Sequence, residues 1–177
     1  EDIQSKILGT TAHIIVQERM KEHMTDYDRL TDKIQTVPDV VAATPFVFRQ
    51  VLLTAQSGVQ GIILRGIDPK REATVTELAK NITAGQLLDL LTPVKVMQAP
   101  ADDPQGDLHP VEKPGIILGK ELALRLGVFV GDTVNVVSPV GPISAMGMVP
   151  KIRTFAVVAL FHSGMFEYDS SFAYIEL

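Results

Sequence analysis

Four histidines, one serine beside a histidine and a few paired carboxylates are the side chains here that can do chemistry. His13, His23, His109 and His162 are scattered along the 177 residues. His23 and Asp26 stand three apart but have no third ligand nearby, and zinc needs three or four converging donors. The histidines therefore read as solvent-facing or core residues, and no metal is expected. His162-Ser163-Gly164 sets a hydroxyl beside an imidazole. A nucleophile elbow, however, needs Gly-x-Ser-x-Gly on a strand-to-helix turn, and a strand end is the simpler reading. Asp102 and Asp103 sit among prolines and read as solvated charge. Gly58, Gly61 and Gly66 do not form Gly-x-Gly-x-x-Gly, and there is no phosphate-cradling loop of the Walker type. With no cysteine, thiolate sites, disulfides and thiol catalysis are excluded. The residues predict no catalytic centre and no cofactor.

The elements that would position such groups alternate between helix and strand, with more strand than helix. Ala12 to Gln17 reads as a β-branched strand. Asp26 caps a helix over Tyr27 to Val37, with Leu30, Ile34 and Val37 as its buried stripe and Pro38 as its stop. Asp39 to Ala55 and Val59 to Gly66 read as long strands around the turn Gln56-Ser57-Gly58, together a βαβ unit extended by a hairpin. Val75 to Ile82 is a short helix. Pro93 to Pro114, with five prolines, reads as mostly loop. Then come strand Gly115–Gly119, helix Lys120–Leu126 stopped by Gly127, Gly131-Asp132, and strand Thr133–Ser138. Strands at Thr154–Phe161 and Phe172–Leu177 complete an α+β fold.

Composition narrows the function classes. Sixteen basic against twenty-one acidic residues give a net charge of −5, opposite to what nucleic-acid binding requires. No tryptophan and 6% aromatics argue against a base- or sugar-stacking platform. The chain is 46% apolar with mean hydropathy +0.20, yet runs such as Ala156 to Phe161 fall far short of the ~20 residues a spanning helix needs. The opening Glu1-Asp2-Ile3-Gln4 lacks the basic and apolar regions of a signal peptide.

One segment stands out. Between the strands ending at Ser138 and starting at Thr154 lies Pro139-Val140-Gly141-Pro142-Ile143-Ser144-Ala145-Met146-Gly147-Met148-Val149-Pro150. If the strands pair, this link far exceeds a usual hairpin loop. It carries no charge but five large apolar side chains, which either fold back on the core or stand exposed. The residues alone favour folding back, because most apolar residues end up covered. The rival is a docking loop: Pro139, Pro142 and Pro150 would stiffen it, Met146 and Met148 would give adaptable contact, and Lys151 and Arg153 would form a charged rim.

Four motifs occur in order: Gly66-Ile67-Asp68-Pro69; Gly119-Lys120-Glu121-Leu122-Ala123-Leu124-Arg125-Leu126-Gly127-Val128 with Gly131-Asp132; Met146-Gly147 with Pro150 and Arg153; and Gly164-Met165-Phe166-Glu167-Tyr168-Asp169-Ser170. The ordered set resembles the periplasmic loop of the LolC/LolE family of lipoprotein-releasing ABC transporter permeases, over nearly the whole chain. The resemblance implies a non-catalytic domain on the periplasmic face of the Gram-negative inner membrane. The implied partners are lipoprotein cargo, a second LolC/LolE-type subunit or a second copy, a separate LolD-like cytoplasmic ATPase and a LolA-like periplasmic chaperone, with no nucleic acid.

The resemblance also implies a MacB-like fold with a Porter subdomain, truncated at its C-terminal end, and a β-rich Sabre subdomain. Residues 1–70 would be Porter-like, 71–132 Sabre-like, and 133–177 would carry the chaperone-binding hook at 139–150 and return to the Porter part. By position the hook comprises Pro142, Ile143, Ser144, Ala145, Met146, Gly147, Met148, Val149 and Pro150, with Met146 central, and it is exposed. A pad at its base falls on Lys151, Ile152, Arg153 and Asn135. Here Arg153 matches a basic position, Asn135 is uncharged where the family has a base, and Ala145 replaces a proline. The competing readings are a MacB-like efflux or cell-division permease domain acting as a docking module, and a stand-alone hydrolase built around His162.

Overall fold

The computed structural model describes residues 12–18, 24–99, 107–138, 143–144, 147–148 and 150–177. Its centre is a ring of six strands: β1 (Phe46–Ala55), β2 (Gly58–Ile67), β6 (Gly115–Gly119), β7 (Thr133–Ser138), β10 (Lys151–Phe161) and β11 (Phe172–Glu176). They pair in the order β10-β6-β11-β2-β1-β7, and β7 pairs back onto β10. Closure satisfies the backbone groups that an open edge would leave bare. The long β10 makes the ring possible. Its first half pairs with β7, and its second half pairs with the short β3 (Ile82–Ala84) on the same side. A register shift between Val157 and Ala159 marks the handover.

The alternation of each strand divides the core in two. Val51, Leu53, Ile62, Ile116, Leu118, Val134, Val136 and Phe155 fill the ring from inside, with Leu122 and Leu126 among them. Ile117, Tyr174, Val158 and Phe161 belong to a second cluster with Leu78, Leu87 and Leu90. That is why β6 is buried along its whole length and reads as a continuous apolar run. Leu78 lies on α3 (Leu78–Asn81), and Leu87 and Leu90 on a 3-10 turn (Leu87–Leu91).

Local sequence sets several of these elements. Helix α2 (Pro69–Val75) begins with proline, and the Asp68 carboxylate accepts from Lys70 N (3.0 Å) and Arg71 N (3.3 Å), a standard capped start. Helix α4 (Lys120–Leu126) ends at Gly127, whose φ of 64° is left-handed, and Val128 N donates to Ala123 O (3.0 Å). A β-carbon there would also press on the Ser57 hydroxyl. Helix α5 (Phe166–Ser171) lies so close to β6 that a β-carbon at Gly119 would run into the main chain of Asp169.

Some expectations need correction. Ala12 to Gln17 forms no strand; Ile14, Ile15 and Val16 are exposed. A β-branched segment becomes a strand only where a neighbour takes its hydrogen bonds, and none of the described ladders includes it, so the expected βαβ unit is absent among the described residues. Helix α1 (Tyr27–Gln35) is shorter than expected, and Val37 is exposed. Its tie to the body is polar, through Asp32 to Arg71 (2.9 Å). Strand β1 starts at Phe46, not Asp39. Val75 to Ile82 is not one helix but the end of α2, then α3 and the start of β3. Pro93 to Pro114 contains an antiparallel pair, β4 (Val94–Gln98) and β5 (His109–Lys113). Pro110 tolerates strand geometry there because a two-stranded ribbon is all edge.

One polar cluster is buried in this fold. Arg65 on β2 and Glu72 on α2 are 7% and 1% exposed, with Nη2 and Oε1 3.7 Å apart. The Thr76 hydroxyl donates to the same Oε1 (3.1 Å), and the Arg65 guanidinium lies 4.5 Å from the centre of the Phe46 ring. Burial pushes the Glu72 carboxyl above its ordinary value of 4.5, with Arg65 and Thr76 acting against that. Burial likewise pushes up the phenol of neighbouring Tyr174.

Candidate functional site

β-Branched residues make β7 and β10 good partners, and they form an antiparallel hairpin from Thr133↔Ala156 to Ser138↔Lys151. The twelve residues between those last partners are the uncharged segment. Within it β8 (Ile143–Ser144) pairs antiparallel with β9 (Gly147–Met148), Ile143 facing Met148 and Ser144 facing Gly147. So the connection carries a ladder of its own. Of the expected hook, Ile143, Ser144, Gly147 and Met148 are strand backbone, and Pro150 is exposed. Pro142, Ala145, Met146 and Val149 lie outside the described residues.

The pad positions fall on both faces of the hairpin. Cross-strand partners share a face, so Asn135 (opposite Thr154) and Ile152 (opposite Val137) point outward from the ring. Lys151 and Arg153 share the other face, the one that Val134, Val136 and Phe155 fill further down. They extend it past the end of the interior, with the Arg153 guanidinium 5.6 Å from the centre of the Phe155 ring. Both are exposed. Asn135 does not act as a free polar group: its Oδ1 accepts from the Thr154 hydroxyl (2.7 Å).

His162 and Ser163 meet a partner that spacing did not reveal. Asp169, 1% exposed on α5, accepts from Ser163 N (2.7 Å) and the Ser163 hydroxyl (2.8 Å) through Oδ1. Its Oδ2 lies 2.7 Å from His162 Nδ1. A nucleophilic triad puts the imidazole between hydroxyl and carboxylate, so that it can take the proton. Here the carboxylate stands in the middle, and the serine hydroxyl donates to it instead of to a base. The cluster ties the turn after β10 to α5. Met165 N, donating to the Ser163 hydroxyl (3.1 Å), completes it. Among the described residues no three His, Cys, Asp or Glu side chains converge as metal ligands. None of their helices is long and apolar enough to cross a membrane.

No protein-family model matches the chain. Curated relatives do. The chain is 33% identical over 173 residues, 98% of its length, to the lipoprotein-releasing system transmembrane protein LolC of Neisseria meningitidis serogroup B. It is 30% identical over 180 residues, 100% of its length, to the LolC proteins of Xylella fastidiosa strains Temecula1 and 9a5c. It spans 37–38% of the length of these relatives. An end-to-end match of this kind, on top of the four ordered motifs, makes the chain a member of the LolC/LolE family of lipoprotein-releasing permeases.

Proposed function

We propose that this chain is the periplasmic domain of an inner-membrane ABC permease that releases lipoproteins, and that residues 139–150 are a hook that captures a LolA-like lipoprotein chaperone. In this reading residues 1–70 form a Porter-like part and 71–132 a Sabre-like part, while 133–177 carry the hook and return to the Porter-like part. A second LolC/LolE-type subunit completes the transporter, lipoprotein is its cargo, and a separate cytoplasmic ATPase supplies the energy.

The observation that carries the reading is the connection itself. The β7–β10 pairing is complete at Ser138↔Lys151, so the fold does not require twelve more residues. Those residues nevertheless hold their own ladder and carry no charge. A chaperone that receives acyl chains presents an apolar cavity. An uncharged Ile/Met/Val loop enters its mouth without the cost of desolvating an ion. Lys151 and Arg153, exposed at the loop's root, can meet carboxylates on the partner's rim.

A photoactivatable residue at Met146 tests this. Irradiation in periplasmic extract is expected to trap a protein identified by mass spectrometry as a lipoprotein chaperone. Recovery of no specific adduct by the folded protein sinks the proposal.

A further inference from the structure

Helix α1 stands outside both cores. Among the described residues, none from 24 to 45 belongs to either buried cluster, and Thr31 is the one buried side chain of the helix. Leu30 and Ile34 are half-buried, while Tyr27 and Val37 are exposed. Packing of an apolar face is what usually keeps a short helix formed, and helices below about 12–15 residues are marginal alone. At nine residues, α1 needs an anchor.

That anchor is Arg71 on α2. Its Nη2 donates to Asp32 Oδ1 (2.9 Å), and its Nε lies 3.4 Å from Asp68 Oδ2. Asp68 in turn caps α2 through Oδ1. The other side-chain contacts of α1 among the described residues remain inside 26–43. The Thr31 hydroxyl donates to Tyr27 O (2.7 Å), Gln35 Nε2 donates to Ala43 O (3.2 Å), and Arg29 pairs with Asp26.

The clasp is weak. The side chains of Asp32 and Arg71 are 65% and 28% exposed, so water and salt screen the pair. Arg71 Nη1 is buried with no hydrogen-bond partner among the described residues, which subtracts from the docked state. On its C-terminal side α1 meets a sharp turn. Pro38 follows it, and Asp39 takes a φ of 68°, a left-handed geometry that strains a side chain. Residues 40–45 then run into β1 without helix or strand.

We propose that α1 is a hinged arm. It turns at Pro38–Asp39 and docks on α2 through the Asp32–Arg71 ion pair, so that ionic strength sets the balance between docked and released states. The ring persists in both. On release Arg71 keeps Asp68, and α2 keeps its cap and its buried contact with Arg65. The body loses one exposed ion pair and nothing from its core. The arm itself melts, because it is too short to hold a helix alone. This goes beyond the function proposed above and does not depend on it.

Hydrogen–deuterium exchange of the 177-residue chain, read by mass spectrometry, tests the arm. It is run at about 0.01 M and about 1 M salt, where the Debye length is about 30 Å and about 3 Å. High salt is expected to speed exchange at Thr31 to Gln35 about fivefold or more, while β6, buried in the ring, changes less than about twofold. Asp32→Asn is expected to give the fast rate already at low salt and to abolish the salt effect. Asp32→Glu is expected to restore the slow rate. Removing a negative charge from the latter half of a helix by itself favours the helix, so faster exchange in Asp32→Asn reports the lost clasp. Two results overturn the arm. One is α1 exchange that stays within about twofold in Asp32→Asn and in high salt. The other is β6 exchange that rises together with α1, which makes α1 part of one cooperative fold.

Discussion

Glu72 shows how the chemistry of a single residue serves the fold. Its carboxyl is buried on α2, accepts from the Thr76 hydroxyl, and stands 3.7 Å from Arg65. Burial raises its proton affinity above the ordinary value of 4.5. The folded state therefore binds this proton more tightly than the unfolded chain does. The sign follows from linkage. The stabilising contribution is fully present below about pH 4.5, and it is lost as pH rises through the higher folded value. Glu72→Gln removes the titration. Urea denaturation across pH 4 to 8 is expected to show this component of the slope in the wild type and not in the variant. Equal slopes in the two proteins would show that Glu72 is not the group responsible. Asp169 is the counterpart case: a buried carboxylate holding two backbone-proximal donors and an imidazole, in an order that suits positioning and not catalysis.

At the scale of elements, what local chemistry determines was readable in advance. β6, α4, Gly127 and β7 occur at the expected bounds, because a five-residue apolar run, a seven-residue helix and a glycine stop depend on near neighbours. Gly127 illustrates the strength of that signal. Its φ of 64° and the Ser57 contact both exclude a side chain. Gly127→Ala is expected to destabilise the fold by about 1–2 kcal/mol through left-handed strain alone, measured as a lower midpoint in thermal or urea unfolding with unchanged circular dichroism. Elements that depend on distant partners are not legible in this way. Ala12 to Gln17 has strand composition but joins no ladder among the described residues, while the proline-rich stretch after Pro93 contains one. The pad positions show the same dependence on pairing. Asn135, Ile152 and Arg153 are near one another along the hairpin, but pleating sends Arg153 to the opposite face.

For the whole molecule, ring closure separates what holds the fold from the connection proposed to meet a partner. Because β7 and β10 meet at Ser138↔Lys151, replacing residues 139–150 by a two-residue Asn-Gly turn leaves every rung of the ring in place. Shortening the link from twelve residues to two reduces loop-closure entropy, worth up to about 1.6 kcal/mol by the logarithmic rule. Stability is expected to stay level or rise by that amount, while crosslinking to the chaperone disappears. A variant that unfolds would instead make the connection part of the core.

The sequence by itself pointed to the family, through four ordered motifs, and relatives at 30–33% identity over 98–100% of the chain bear that out. It also determined the absence of thiol chemistry and the uncharged character of the segment before Lys151. These are properties of residue types and near neighbours. Only the tertiary structure decided that six strands close into a ring. It also put the Asp169 carboxylate between the His162 imidazole and the Ser163 hydroxyl. Ring closure depends on which strand lies beside which, over separations of up to roughly a hundred residues. Register and pleat set that relation, and neither is written in any local stretch of the chain.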